Sequence, residues 1–215
     1  MKRRIDQLLV ERGLASSREK AQAILMAGQV MLGTDVVTKA GALVPIEAVI
    51  NIKNHPQYVG RGGIKLAAAL KAFGMDVTGS VALDIGASTG GFTDCLLQRG
   101  VNHVYAIDVG HGQMDFALRQ NPKVTSSEGI NARYPFEIPA KVDLVVIDVS
   151  FIGLRLIIPE IFPHLNPDAN IVALVKPQFE AGRSEVGKNG VVRDPSVHGR
   201  VLGNLLLWAI NKSIR

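Results

Sequence analysis

The 215 residues suffice to bury one large core or two unequal ones. A hydrophobic share of 47% against 20% charged residues excludes a disordered chain and describes a globular one. The net charge of +5 lies wholly in residues 1–65, which hold ten Lys/Arg against five Asp/Glu, while the remainder holds 14 of each sign. That asymmetry points to an N-terminal part that binds a polyanion, against the plainer reading of a solvated face of basic helices. One cysteine, Cys95, excludes an internal disulfide framework and fits a reducing, cytoplasmic compartment. The five histidines (55, 103, 111, 164 and 198) show no ligand spacing, so no metal is expected. Lys2-Arg3-Arg4 is followed by no apolar core, so no secretory signal is expected. The longest apolar stretch, 142–162, is broken by Asp143, Asp148, Arg155 and Glu160, so no membrane association is expected.

Ile5, Leu8 and Leu9 fall at i, i+3 and i+4, the spacing of a short amphipathic helix that Gly13 can end. Ser16 and Glu19 have capping-box spacing ahead of the stripe Ala21, Ile24 and Leu25, and Gly28 closes that second helix. β-rich pieces follow at 30–32, at 36–38 beyond a Gly33-Thr34-Asp35 turn, and at 49–53. Residues 1–58 therefore read as a small basic α+β domain. Asn54-His55-Pro56-Gln57 and Gly60-Arg61-Gly62-Gly63 punctuate the chain and give a linker at 59–64. A helix is expected over 64–73, with Leu66, Ala69, Leu70 and Phe73 facing inward. From Ser80, strands at 81–85, 103–108, 143–148 and 171–176 alternate with helices at 91–99, 114–120 and 154–164. Such alternation is the sign of βαβ units, so 65–215 is expected to form a doubly wound, mostly parallel α/β sheet.

The sharpest local signal is Asp84-Ile85-Gly86-Ala87-Ser88-Thr89-Gly90-Gly91-Phe92, an apolar strand running into a glycine-rich turn before a helix. Glycine lets backbone approach a ligand where a Cβ would clash. The spacing is not the G-x-G-x-x-G of a pyrophosphate site, and suits a ligand with an amino-acid end instead. Asp108 closes the next strand, where an acidic side chain accepts hydrogen bonds from a ribose diol. Asn131 falls in the loop after the third strand, within reach of an adenine, or is simply a turn residue. Asp148 and Lys176 each end an apolar run at the carboxyl end of a strand. With Asp84 and Asp108 they put four charged residues on one sheet edge, which packing does not require.

Together with Asp148-Val149-Ser150-Phe151, Lys176-Pro177-Gln178-Phe179-Glu180, Arg61-Gly62-Gly63-Ile64-Lys65-Leu66 and 187–194, the glycine turn resembles the TlyA (hemolysin A) family. That family lies within the wider FtsJ-like ribose methyltransferases. The N-terminal part is similar to the RNA-binding module named for ribosomal protein S-four. The resemblance implies a Rossmann-like domain that uses S-adenosyl-L-methionine to methylate a ribose 2′-hydroxyl, of a cytidine, in ribosomal RNA or ribosomal subunits. It also implies a catalytic Lys–Asp–Lys–Glu set, carried over here as Lys65, Asp148 and Lys176. The fourth member, a Glu on a late strand, is expected beyond Arg215; Glu180 and Glu185 do not match its position. A ribose hydroxyl is a poor nucleophile, and a neutral lysine can take its proton as the methyl group arrives. Burial and a second lysine both disfavour a charged lysine, so Lys176 is assigned as base, Asp148 as orienting carboxylate and Lys65 as polarising group. The donor is assigned to Asp84, Gly86, Ala87, Ser88, Thr89, Gly90, Gly91, Phe92, Asp108 and Asn131. RNA is assigned to Arg3, Arg4, Arg18, Lys20 and Arg61.

Three other functions compete. A membrane-lytic protein needs an apolar face that the sequence lacks. A non-catalytic RNA or ribosome binder leaves Lys65, Asp148 and Lys176 unexplained. An NAD enzyme explains Asp108 but wants the missing dinucleotide fingerprint.

Overall fold

The computed structural model describes residues 1–52 and 57–212. It divides into two compact units, Met1–Gln57 and Tyr58–Arg215. Lys53, the end of the expected 49–53 piece, and 54–56 of the punctuating Asn54-His55-Pro56-Gln57 lie outside the described residues.

In the first unit, strand β1 (Lys2–Arg4) leads directly into helix α1 (Ile5–Glu11), and helix α2 (Arg18–Met26) follows. Strands β2 (Val30–Leu32), β3 (Asp35–Val37), β4 (Leu43–Pro45) and β5 (Ile50–Ile52) complete it. β2 is the middle of an antiparallel β3-β2-β5 sheet, and β1 pairs with β4. The apolar stripes of both helices close on these strands: Ile5, Leu8, Leu9, Ala21, Leu25, Val30, Val44 and Ile50 form one core. The cap of α2 is Ser17, whose hydroxyl accepts from the Lys20 amide at 3.2 Å, and not the expected Ser16. Two adjacent serines offer the same chemistry, and the extended backbone at Ser17 decides between them.

The second unit opens with helix α3 (Arg61–Ala72). Residues 61–64, expected in a linker, are its first turn, because their glycines permit close crossing of a neighbouring helix. A Cβ on Gly63 would lie 2.3 Å from Tyr58, and one on Gly91 would lie 3.1 Å from the Gly63 nitrogen. Then come β6 (Val81–Ile85), α4 (Gly91–Gln98), β7 (His103–Asp108), α5 (Phe116–Arg119), β8 (Val124–Glu128) and β9 (Val142–Ile147). Helix α6 (Ile158–Ile161), between two 3₁₀ turns, leads to β10 (Leu165–Ala173), α7 (Pro177–Glu180) and α8 (Pro195–Asn211). Five parallel strands run in the order β10-β9-β6-β7-β8.

Alternate residues of each strand face opposite cores. Ala82, Val104, Ala106, Leu144 and Val146 pack with Leu66, Leu70, Cys95 and Leu96 of α3 and α4. Leu83, Ile85, Ile107, Val145 and Ile147 pack with Leu154, Ile158 and Ile161, and with Leu205 and Trp208 of α8. The sheet is thus covered on both faces, as its continuous apolar strands require. Cys95 is wholly buried in the first of these cores. Among the described residues no helix is long and apolar enough to cross a membrane.

Candidate active site

The chain enters the sheet at β6, moves through β7 to the β8 edge, and returns to β9 on the other side of β6. Strand order therefore reverses between β6 and β9, and ligands bind outside the carboxyl ends of strands at such a point. The turn after β6 and the turn after β9 touch there. The Asp148 amide donates to the Ile85 carbonyl at 3.0 Å, and Gly86 has φ +81°. A Cβ on Gly86 would sit 2.8 Å from the Asp148 carbonyl oxygen. Glycine is needed at 86 for both reasons.

Two adjoining cavities open at this junction, of about 210 Å³ and about 830 Å³. Gly86, Ser88, Asp148 and Ser150 line both. The smaller lies against Ala87, Thr89, Gly91 and Phe92, at the N-terminal end of α4. Asp108 and Asn131 line the larger. Asp108 is tied by two backbone amides, Ser88 at 2.8 Å and Gly110 at 2.7 Å, each to its own carboxylate oxygen. The Asn131 side-chain oxygen accepts from the Arg133 amide at 3.1 Å, so it shapes its own turn while facing the cavity.

Asp84 is a correction to the expected donor contacts. It is wholly buried and lines neither cavity, because its strand position points it beneath the turn. Thr93, also buried, donates to its Oδ2 at 2.6 Å, while Oδ1 has no hydrogen-bond partner among the described residues. Burial pushes its carboxyl up to about 7, against the Thr93 hydrogen bonds that lower it, with a further rise from Asp148 and Asp108. Gly90 lines neither cavity; a Cβ there would meet Leu118 at 2.3 Å, so its part is packing.

The expected catalytic residues come together. Lys176 Nζ lies 2.7 Å from Asp148 Oδ1, and Lys65 Nζ lies 3.7 Å from Asp148 Oδ2. Lys176 and Asp148 are about four-fifths covered (18% and 19% exposed side chains), whereas Lys65 is half exposed on α3. Lys176 does not end its strand as expected. β10 stops at Ala173, and Lys176 caps α7, whose first residue is Pro177.

In the N-terminal unit, Arg4 and Arg18 both hold buried Asp6. Arg4 donates twice at 3.0 Å and Arg18 once at 2.9 Å, and Arg3 holds Glu11 at 2.7 Å. The Arg4 hydrogen bond, followed by Arg18 and Gln22, holds the Asp6 carboxyl far below the usual carboxylate range despite its burial. Lys20 and Arg61 are exposed.

Comparison with known proteins decides the family. Residues 58–215 match the FtsJ-like methyltransferases, and residues 3–50 match the S4 domain. The chain belongs to the FtsJ-like methyltransferase family. It is 48% identical over 212 residues to YqxC of Bacillus subtilis, covering 97% of this chain and 75% of that protein. It is 46% identical over 201 residues to the 16S/23S rRNA (cytidine-2′-O)-methyltransferase TlyA of Mycobacterium tuberculosis, covering 92% and 75%. A solved Streptococcus thermophilus structure that carries the hemolysin name has a TM-score of 0.72 at 42% identity, covering 98% of this chain and 78% of that one. The chain thus spans about three quarters of the length of these relatives.

Two features of this FtsJ-like methyltransferase escape a reading by residue type. Ser150 accepts a hydrogen bond from Lys176 Nζ at 2.8 Å; an isolated serine in a strand-end loop carries no signal of its own. Phe151 is 91% exposed at φ +66°, and its ring lies 5.2 Å from that of Phe179 at the larger cavity. A large apolar side chain held open on a left-handed backbone is costly by about 1–2 kcal/mol, and such costs concentrate at functional sites.

Proposed function

We propose that this cytoplasmic protein transfers a methyl group from S-adenosyl-L-methionine to the ribose 2′-hydroxyl of a cytidine in ribosomal RNA. The observation that carries the reading is the Lys65–Asp148–Lys176 cluster at the switch point: Asp148 lines both cavities, Lys176 lines the smaller, and Lys65, which lines neither, reaches Asp148 from α3. The cavities fit the donor in kind. The smaller, polar one, at backbone amides, suits the amino-acid end, and the larger one, with Asp108 and Asn131, suits the nucleoside. When bound, the donor supplies an activated methyl group on a sulfonium.

The residues of the chain do the rest. Asp148, which lines both cavities, keeps the Lys176 amine in the smaller one, beside the place where a ribose hydroxyl would meet a methyl group. In its neutral form Lys176 accepts the hydroxyl proton, and Asp148 then balances the ammonium that results. Lys65, at 3.7 Å on the other carboxylate oxygen, directs N–H groups to the attacking oxygen. Positioning of the hydroxyl in line with the methyl group accounts for much of the rate. The exposed Phe151 ring offers a face on which an unstacked base can lie, as single-stranded RNA recognition requires. Exposed Lys20, with the half-exposed outer parts of Arg3, Arg4 and Arg18 beyond the carboxylates they hold, supplies phosphate contacts to ribosomal RNA.

Calorimetry with S-adenosylmethionine and with NAD tests the donor. Binding of the former alone is expected; binding of NAD alone overturns the reading.

A further inference from the structure

We propose that Ser150 is a positioning residue that aims the lone pair of Lys176 at the ribose hydroxyl. The proposal rests on the ribose-methylation reading above. It starts from a difference between the two partners of Lys176. Asp148 Oδ1 is close, at 2.7 Å, but makes no hydrogen bond among the described residues, so its contact is off-axis and acts as charge attraction. Ser150 Oγ is at 2.8 Å with proper hydrogen-bond geometry. It is therefore the directional partner of the amine.

Direction matters for a lysine base because the amine turns freely about its last carbon–nitrogen bond. A neutral amine has two N–H bonds and one lone pair on a tetrahedral nitrogen. The Ser150 hydroxyl fixes one N–H, and the negative charge of Asp148 draws the second. The lone pair is left with the remaining direction. Ser150 and Lys176 both line the smaller cavity, and Ser150 also lines the larger, so a bound ribose covers the pair and displaces the water that competes with its hydrogen bond. In the step itself the ribose O–H bond breaks and its proton moves to the Lys176 lone pair. The oxygen forms the O–CH₃ bond, and the sulfonium sulfur keeps the electron pair of the broken S–CH₃ bond. The new third N–H bond sits on an ammonium still held by Ser150 and Asp148.

The test compares the full chain with Ser150→Ala and Ser150→Thr. Two readouts are needed: the Lys176 amine titrated by NMR with labelled lysine, assigned by Lys176→Arg, and the pH profile of methyl transfer to ribosomal RNA. A hydroxyl acceptor stabilises the ammonium, so Ser150→Ala should lower the titration midpoint by about half to one pH unit. The acid limb of the rate profile should move down with it. kcat should fall roughly tenfold to a hundredfold with donor affinity within about twofold, since orientation and not binding is lost. Ser150→Thr keeps the hydroxyl and should restore both. An unchanged midpoint in Ser150→Ala overturns the proposal whatever the turnover, as does full turnover in that variant. If the midpoint moves but no form, parental included, methylates RNA, then the ribose reading fails while the hold of Ser150 on Lys176 stands.

Discussion

Replacing Gly86 with alanine should damage stability and catalysis together, and the geometry gives the size. At φ +81° an L-residue costs about 1–2 kcal/mol from its own backbone. The added Cβ would also lie 2.8 Å from the Asp148 carbonyl oxygen, 3.1 Å from its carbon and 3.3 Å from Val149 Cα. All three are backbone atoms and cannot swing away. Relief requires the β9 end to move by roughly half an ångström, at the expense of the 3.0 Å bond from the Asp148 amide to Ile85, worth about 1 kcal/mol. The sum is a destabilisation of about 2–4 kcal/mol. Because Asp148 carries Lys176, the same shift should lower turnover by about tenfold to a hundredfold. Gly100 is the control: its φ is +80°, but its nearest contact would be 3.4 Å from a Thr78 methyl group, so Gly100→Ala bears the conformational cost alone. Denaturant unfolding and methyl-transfer kinetics on both variants measure the difference. If Gly86→Ala is no less stable than Gly100→Ala and keeps full turnover, the close contact between the two turns is not what holds the site.

Asp84 gives a prediction in pH. In the folded state its carboxyl keeps a proton up to about 7, whereas unfolded it loses it near 4. Its contribution is therefore present below about pH 4 and lost as pH rises to 7, so Asp84→Asn should gain stability over the parent across that window, by about 1–4 kcal/mol in thermal or denaturant unfolding at pH 8. Asp6 has the opposite sign. Its depressed folded-state ionisation gives stability above about pH 4 that disappears on acidification, so Asp6→Asn should flatten the acid limb measured by amide exchange at Leu8, Leu9 and Leu25. Reversing charge at Arg3 and Lys20, which leave the Arg4 and Arg18 hold on buried Asp6 intact, should weaken RNA binding and reduce its dependence on salt, read by titration at several salt concentrations; unchanged affinity would reduce this part of the N-terminal charge to surface decoration. Lys176→Ala should abolish methyl transfer and leave calorimetric donor binding intact; retained turnover removes it as base.

Four strands of the sheet were legible because they carry apolar runs that end in glycine or charge, as 81–85 and 103–108 do, whereas the edge strand β8, Val-Thr-Ser-Ser-Glu, has no such run and was missed. Gly86, Asp108, Asp148 and Lys176 were legible as residues because each follows such a run. What they do geometrically was less so. Asp84 reads like its neighbours in the motif, yet strand alternation turns it into the interior, where it supports the turn through Thr93. Lys176 stands beyond the end of β10 because Pro177 opens a short helix there, a detail that an unbroken apolar run conceals. β1 and β4 are three residues each and depend on pairing with one another, so they leave no local pattern. The role of Ser150 is visible only once β9 and β10 place it beside Lys176, 26 residues further on.

Transfer of a methyl group to a ribose oxygen is settled by locating that methyl group in the product RNA. Ribosomal subunits and their purified RNA should be incubated with the protein and isotope-labelled S-adenosylmethionine, and the labelled nucleotide isolated. Label is expected on a cytidine 2′-oxygen, with the following phosphodiester resistant to alkaline cleavage. Label on a base, or donor binding with no transfer to either substrate, contradicts it.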